Sequence, residues 1–241
     1  MKAYLINLAR SKERLAAADA QLRAAGVAYE RVEAVDGRAL SRRERWRLCS
    51  AVRFWMIYGA RPSAGTIGCA LSHQAVYRRM LEAGEPLAAV FEDDVEVLDA
   101  AWLREALARI EASDKPSEPT VWRLMRLPGE ASEGAGAGFF PSGPGAMGTY
   151  AYVLNAAAAR RLRFLNGEPI LTLADDWPRR MRQGLRVWSV RPEPCGHAGE
   201  RSTIGSAAPR RARWGWYVAL WRARRWVTQA VDGVATWWTG R

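Results

Sequence analysis

A chain of 241 residues has room for one well-filled core and for one or two domains. Its 49% hydrophobic and 25% charged residues exclude a disordered chain, and the lack of any run near about 18 uncharged apolar residues excludes a transmembrane helix. A formal net charge of +11 directs the protein toward anions: phosphorylated substrates, anionic lipid or nucleic acid.

The start of the chain, through Tyr4-Leu5-Ile6-Asn7-Leu8, reads as a first strand. It is too short in its apolar part for a signal peptide, so a cytoplasmic location is expected. Ser11 then caps an Ala-rich helix that ends at Gly26. Residues 27–35 predict a second strand, and Asp36-Gly37 a turn. Ser41 opens a basic helix reaching about residue 52, followed by a loop around Arg61-Pro62-Ser63-Ala64-Gly65. The segment from Gly68 to His73 leads into a helix that ends near Gly84.

Next comes Leu87-Ala88-Ala89-Val90-Phe91, a short apolar run typical of a buried strand, ending abruptly in Glu92-Asp93-Asp94. Three carboxylates at the mouth of a buried strand repel one another and resist desolvation, so they need a counter-charge. A divalent cation is the usual one, and hard oxygen ligands suit Mg²⁺ or Mn²⁺. A charged turn after the strand is the plainer alternative.

A helix is predicted over residues 100–112. Residues 113–148 change character: Lys115-Pro116-Ser117-Glu118-Pro119 is a breaker, and Pro128 to Gly148, rich in Gly, Ala, Pro and Ser, reads as a mobile loop, either an active-site cover or an insertion. Residues 148–154 predict a strand, 155–165 a helix, the residues after Asp175-Asp176-Trp177 another helix, and 185–190 a strand. Alternating strands and helices imply an α/β layered domain with a mostly parallel sheet.

Cys49, Cys69 and Cys195 are too few and odd in number for a disulfide framework, in keeping with a reducing compartment. Cys69 with His73 and Cys195 with His197 offer four zinc ligands, but their spacings fit no common zinc motif.

Five segments in order resemble glycosyltransferase family 25, bacterial enzymes of lipopolysaccharide biosynthesis related to collagen galactosyltransferases. They are Ile6-Asn7-Leu8 with Arg10 and Arg14; the run from Gly65 to His73; Phe91-Glu92-Asp93-Asp94-Val95; Gly148-Thr149-Tyr150-Ala151-Tyr152; and Arg201-Ser202-Thr203-Ile204. The resemblance covers about residues 1–205. It implies a GT-A type fold, a UDP-sugar donor with galactose favoured, Mn²⁺ or Mg²⁺, an inverting transfer, and a lipopolysaccharide or other lipid-linked glycan acceptor. Donor binding then falls to Asn7, Leu8, Arg10, Arg14, Gly68, Ser72, Glu92, Asp93, Arg201 and Ser202. Asp94 is the first metal ligand, with Glu92 and His197 as further ones. An inverting transfer also needs a base for the acceptor hydroxyl, and Asp175 or Asp176 supplies it, with Asp N-capping the plainer reading. Trp177 and Tyr150 are the expected acceptor contacts.

Residues 1–208 are thus expected to form the transferase domain and 209–241 a basic helical tail. In that tail Arg210, Arg211, Arg213, Arg222, Arg224 and Arg225 interleave with Trp214, Trp216, Tyr217, Trp221 and Trp226. Trp and Tyr prefer the membrane interface and arginines attract anionic lipid, so the tail is expected to lie on the inner face of the cytoplasmic membrane. Packing of the stripe on the domain or on a partner is the alternative. Basic charge with interleaved aromatics also suits a single-stranded nucleic acid, an alternative function although no nucleic-acid partner is expected; a non-catalytic, membrane-associated member of the same fold is the other alternative.

Overall fold

The computed structural model describes residues 1–125 and 136–198. In chain order the elements are β1 (Lys2–Asn7), α1 (Lys12–Ala24), β2 (Glu30–Glu33), α2 (Arg42–Leu48), α3 (Ala51–Tyr58), α4 (Ala64–Glu82), β3 (Leu87–Glu92), β4 (Val95–Val97) and α5 (Ala100–Ser113). They continue with β5 (Thr120–Arg123), β6 (Gly138–Pro141), β7 (Ala151–Asn155), α6 (Ala156–Asn166), α7 (Trp177–Arg182), β8 (Arg186–Arg191) and β9 (Cys195–His197).

Seven strands form one sheet in the order β2-β1-β3-β7-β5-β8-β6, and β4 pairs with β9 apart from it. Strands β2, β1, β3, β5 and β8 run one way, while β7 and β6 run against their neighbours. The architecture is therefore the layered, mostly parallel α/β sheet expected, with one reversed strand in its middle.

Side-chain alternation sends successive strand residues to opposite layers. Ala3, Leu5, Ala89, Phe91, Val153 and Trp122 meet α1 and α5 through Leu22, Leu103 and Ile110. Tyr4, Ile6, Val90, Tyr152 and Leu154 meet α4 and α6 through Val76, Tyr77, Met80 and Leu162. Both faces of β3 are thus covered, which explains its unbroken apolar run. Fully burying Val90 or Phe91 is worth about 1.5–3 kcal/mol each, enough for this strand to hold the carboxylates at its end in place.

Several elements differ from expectation. The basic helix breaks in two because Cys49 is extended, bridges to Ile170, and hands the next cap to Ser50. The segment 113–148 contains β5, buried at all four residues between β7 and β8, and β6 at the sheet edge. Only residues 126–135 of it lie outside the described residues. The tail 209–241 with Arg201 and Ser202 lies outside them too, and among the described residues no helix is long and apolar enough to cross a membrane.

Candidate active site at the carboxyl ends of β1 and β3

β1 and β3 are parallel neighbours with Ile6 opposite Glu92, so their carboxyl ends open side by side. The reversed β7 begins at the same edge, where the Glu92 N–H donates to the Tyr150 carbonyl at 2.9 Å. Three carboxylates, two arginines and two histidines converge there.

Glu92 turns toward α4. His73 Nε2 lies 3.2 Å from its Oε1, and the Thr149 hydroxyl donates to the same oxygen at 2.6 Å. His73 Nδ1 in turn pairs with the Tyr152 hydroxyl at 2.8 Å, and Tyr152 donates to Tyr77 at 3.0 Å. Burial pushes the Glu92 carboxyl up, but the hydrogen bonds from His73 and Thr149 outweigh it and the net shift is downward.

Asp93 turns toward β1 and α1. Asn7 Nδ2 donates to its Oδ2 at 2.7 Å, and Arg14 reaches its Oδ1 at 2.5 Å. The same Arg14 nitrogen lies 2.8 Å from Asp94 Oδ2, so one guanidinium bridges two carboxylates. The triplet therefore carries part of its counter-charge within the protein.

Asp94 is the incompletely satisfied member. His197 Nε2 lies 3.4 Å from its Oδ2, brought there by the pairing of Val95 with His197 across β4 and β9. Its Oδ1 is buried and has no hydrogen-bond partner. Burial first, and the Glu92 charge second, push the Asp94 carboxyl up to about 6. A buried carboxylate oxygen without a partner is costly unless a cation or a proton meets it. Asp94 and His197 offer one carboxylate and one imidazole, ligand types that Mn²⁺ or Mg²⁺ accepts, although among the described residues no third His, Cys, Asp or Glu joins them in one group.

Two clefts flank this group and share Arg10, Arg14, Asp93 and Asp94. The smaller, about 80 Å³, runs past Leu8, Asp36, Gly65, His73 and Glu92. The larger, about 690 Å³, lies along α1 as far as Gln21 and Ala198. Only the second falls in the range of about 300–1,000 Å³ usual for a whole ligand. Arg10 pairs with Asp36 and is half exposed at the mouth of the smaller cleft.

Gly68 takes a different place in its helix from the one expected. α4 begins at Ala64, capped by Ser63, so Gly68 lies inside the helix instead of before it. A Cβ at Gly68 would stand 2.4 Å from the Val35 carbonyl oxygen and 2.8 Å from the Gly37 nitrogen, so this glycine admits the chain of residues 35–37. The Ser72 hydroxyl donates to Gly68 O and accepts from Val35 N–H, fastening the same contact. Gly68 shapes the cleft wall from behind, whereas Ser72 lines the smaller cleft itself.

Trp177 also departs from expectation. It is fully buried, with Nε1 donating to Gly148 O at 2.8 Å and its ring edge-on to Tyr152, so no face is open to a sugar. Tyr150 is 4% exposed and packs edge-on against His197. The two aspartates before Trp177 divide in role. Asp176 accepts from Arg179 N–H as the N-cap of α7 and receives the Tyr58 hydroxyl at 2.6 Å. Asp175 accepts from Gly148 N–H at 3.1 Å, one residue from the Thr149 that holds Glu92, and burial pushes its carboxyl up.

The four-ligand zinc set does not gather. Cys195 belongs to the core under α1 and α5, and among the described residues the one group of three or more ligand side chains within 4.8 Å of one another is Cys69, His73 and Glu92. Thr149, Tyr152 and Tyr58 escaped sequence reasoning as site residues, although Thr149 and Tyr152 stand in the Gly148–Tyr152 motif.

The family model described as "Glycosyltransferase family 25 (LPS biosynthesis protein)" matches residues 1–176. Procollagen galactosyltransferase 2 of Mus musculus is 32% identical over 127 residues, covering 52% of this chain and 20% of that protein. The matched part is thus about a fifth of the mouse protein's length. Mannose-1-phosphate geranyltransferase from Thermus thermophilus aligns over 78% of this chain and 73% of its own, at 16% identity and a TM-score of 0.30, a likeness too slight to argue from. The family match takes in β1, α1, α4, β3 and β7 and ends before β9 and His197, and the chain belongs to glycosyltransferase family 25, a family of sugar-transferring enzymes.

Proposed function

We propose that this chain is a metal-dependent, inverting glycosyltransferase of GT-A type that moves a sugar from a UDP-sugar to a lipopolysaccharide or other lipid-linked glycan. The observation that carries the reading is Asp94, which lines both clefts, meets His197 and Arg14 through Oδ2 and keeps a buried, unpartnered Oδ1. Galactose is the favoured sugar, in line with the name of the mouse relative.

In this reading Asp94 and His197, with Glu92 or Asp93 near, hold Mn²⁺ or Mg²⁺. The cation, when bound, neutralises charge on the departing diphosphate. Arg14 and Arg10 add fixed positive charge along the same wall, suited to phosphate oxygens. Asn7 orients Asp93 by its 2.7 Å bond while its own Oδ1 accepts from Arg31 at 3.1 Å, so the carboxylate is fixed before a donor arrives. Asp175 is the better base. Asp176 spends its oxygens on the α7 cap and on Tyr58, whereas Asp175 has a raised proton affinity and sits next to the Gly148-Thr149 corner. It takes the acceptor hydroxyl proton as the acceptor oxygen bonds to the sugar's anomeric carbon and the bond to the diphosphate breaks. Arg201 and Ser202 close the donor site, and the basic, Trp-rich residues 209–241 hold the enzyme to the inner membrane surface.

Thermal shift against a panel of nucleotide sugars, with and without Mn²⁺, tests this. A UDP-sugar should raise the melting temperature only when the metal is present. Equal shifts without metal, or none with any UDP-sugar, would remove the reading.

A further inference from the structure

Cys69 and His73 stand four residues apart on α4, one turn along the same helix face. Glu92 ends β3 beside them, and one ligand atom from each of the three lies within 4.8 Å of the other two. A tetrahedral Zn²⁺ with bonds of about 2.0–2.3 Å sets its ligands about 3.3–3.8 Å apart, so small side-chain shifts close this set. All three residues line the smaller cleft, which gives an ion a way in. The sugar transfer described above uses neither Cys69 nor His73.

The hydrogen bonds around the set orient it as metal ligands are oriented. The Tyr152 hydroxyl spends its proton on Tyr77 at 3.0 Å, so it accepts from His73 Nδ1–H at 2.8 Å. In neutral His73 the Nε2 lone pair then faces Glu92 Oε1 at 3.2 Å. Two acceptors at that distance are held together by a proton or by a cation. Cys69 favours the cation, because it adds a third donor that a shared proton would not use. The Thr149 hydroxyl fixes the Glu92 carboxylate at 2.6 Å, so the histidine and the carboxylate each have an outer partner.

The chemistry of the donors selects the ion. Sulfur, nitrogen and one carboxylate suit Zn²⁺, whereas Mg²⁺ and Mn²⁺ prefer oxygen. We infer that Cys69, His73 and Glu92 form a three-ligand Zn²⁺ site that clamps α4 to the end of β3, separate from the Asp94 and His197 pair. Burial first, and the Glu92 charge second, push the Cys69 thiol well above its usual value, so it carries its proton until zinc arrives. The Zn–S bond forms as that proton leaves to solvent. Water from the cleft completes the fourth position. The inference stands on these contacts alone and does not rest on the transferase reading.

The test titrates the full chain, reduced and stripped of metal, with Co²⁺ as a coloured stand-in for Zn²⁺. A near-ultraviolet band from thiolate to cobalt should appear and saturate at one ion per chain. Zn²⁺ should abolish the band and excess Mg²⁺ should not. Cys69→Ser should lose the band and bind zinc about tenfold or more weakly, and Tyr152→Phe should keep the band and weaken zinc about tenfold. Zinc should raise the melting temperature of the parent more than that of either variant. Asp94→Asn should behave as the parent does in every one of these measurements, which separates this ion from the one proposed at Asp94. If Cys69→Ser does not fold, Glu92→Gln replaces it, with zinc again weakened about tenfold or more and the thiolate band kept. The inference is overturned if the parent gives no thiolate band, or if the band survives Cys69→Ser, which would place the thiolate at Cys49 or Cys195. It is equally overturned if zinc binds Cys69→Ser or Glu92→Gln as tightly as the parent, or if Asp94→Asn abolishes the band.

Discussion

Asp94 concentrates the physical argument at the scale of single residues. Its carboxyl is pushed up from an ordinary 3.8 to about 6, so the folded protein binds a proton there more tightly than the unfolded chain does. Its contribution favours folding at low pH and is lost as pH rises through about 6, leaving an ionised, poorly satisfied carboxylate in the metal-free protein. Asp94→Asn should therefore melt higher than the parent at pH 7.5 without metal, and that advantage should vanish below about pH 4. Melting curves across pH check this, and the same variant should lose the Mn²⁺-dependent shift. Asp175 and Asp176 make a second contrast. Asp175→Asn should keep donor binding and slow transfer by roughly 10²-fold or more. Asp176→Ala should instead cost about 1–3 kcal/mol of stability by removing a cap and the acceptor of Tyr58, read by denaturant titration. A reversal of those two outcomes would exchange the roles.

Among the elements, those legible in the sequence were the ones whose covering is regular. β3 showed itself because both faces are buried and its end is charged. The strand before α6 showed itself as an apolar run leading into a helix, and its Tyr152 and Leu154 face one layer. β5 stayed hidden although it is central, because Arg123 reads as a surface residue. In the fold it is 1% exposed, and its guanidinium donates to Met147 O at 2.6 Å. A charge buried against a backbone carbonyl contributed by a distant loop leaves no local signature. β9, at three residues, is too short to carry a period, yet it is what delivers His197 to Asp94. Gly68 was expected at the donor, and the structure gives it a packing need against residues 35–37, since a glycine freed for a ligand and one freed for a neighbouring backbone look alike in sequence. Gly68→Ala should destabilise by about 1–3 kcal/mol, because the contacting atoms are backbone and cannot swing away. A Gly68→Ala protein that melts like the parent would show that residues 35–37 yield freely.

For the whole molecule, the mostly parallel sheet gathers residues from distant parts of the chain at one edge: Asn7 and Arg14 from the start, Glu92 to Asp94 from the middle, and His197 from the far end. Sequence motifs named these groups, but which of them touch was not readable, since it depends on the reversed β7 and on the β4–β9 pair. A chain cut after residue 208 retains every described element. It should still bind donor, and its affinity for anionic vesicles should fall below that of the full chain. Sedimentation of the two forms at equal salt reads that difference.

The central claim is that Asp94 and its neighbours form a metal-dependent sugar-transfer site. The most direct measurement is release of UDP from UDP-galactose by the full chain with Mn²⁺, compared with the chelated protein and with Asp94→Asn. The account predicts turnover by the parent that stops on chelation and falls by roughly 10²-fold or more in the variant, at an intact fold. Turnover that is indifferent to both metal and Asp94 would contradict it.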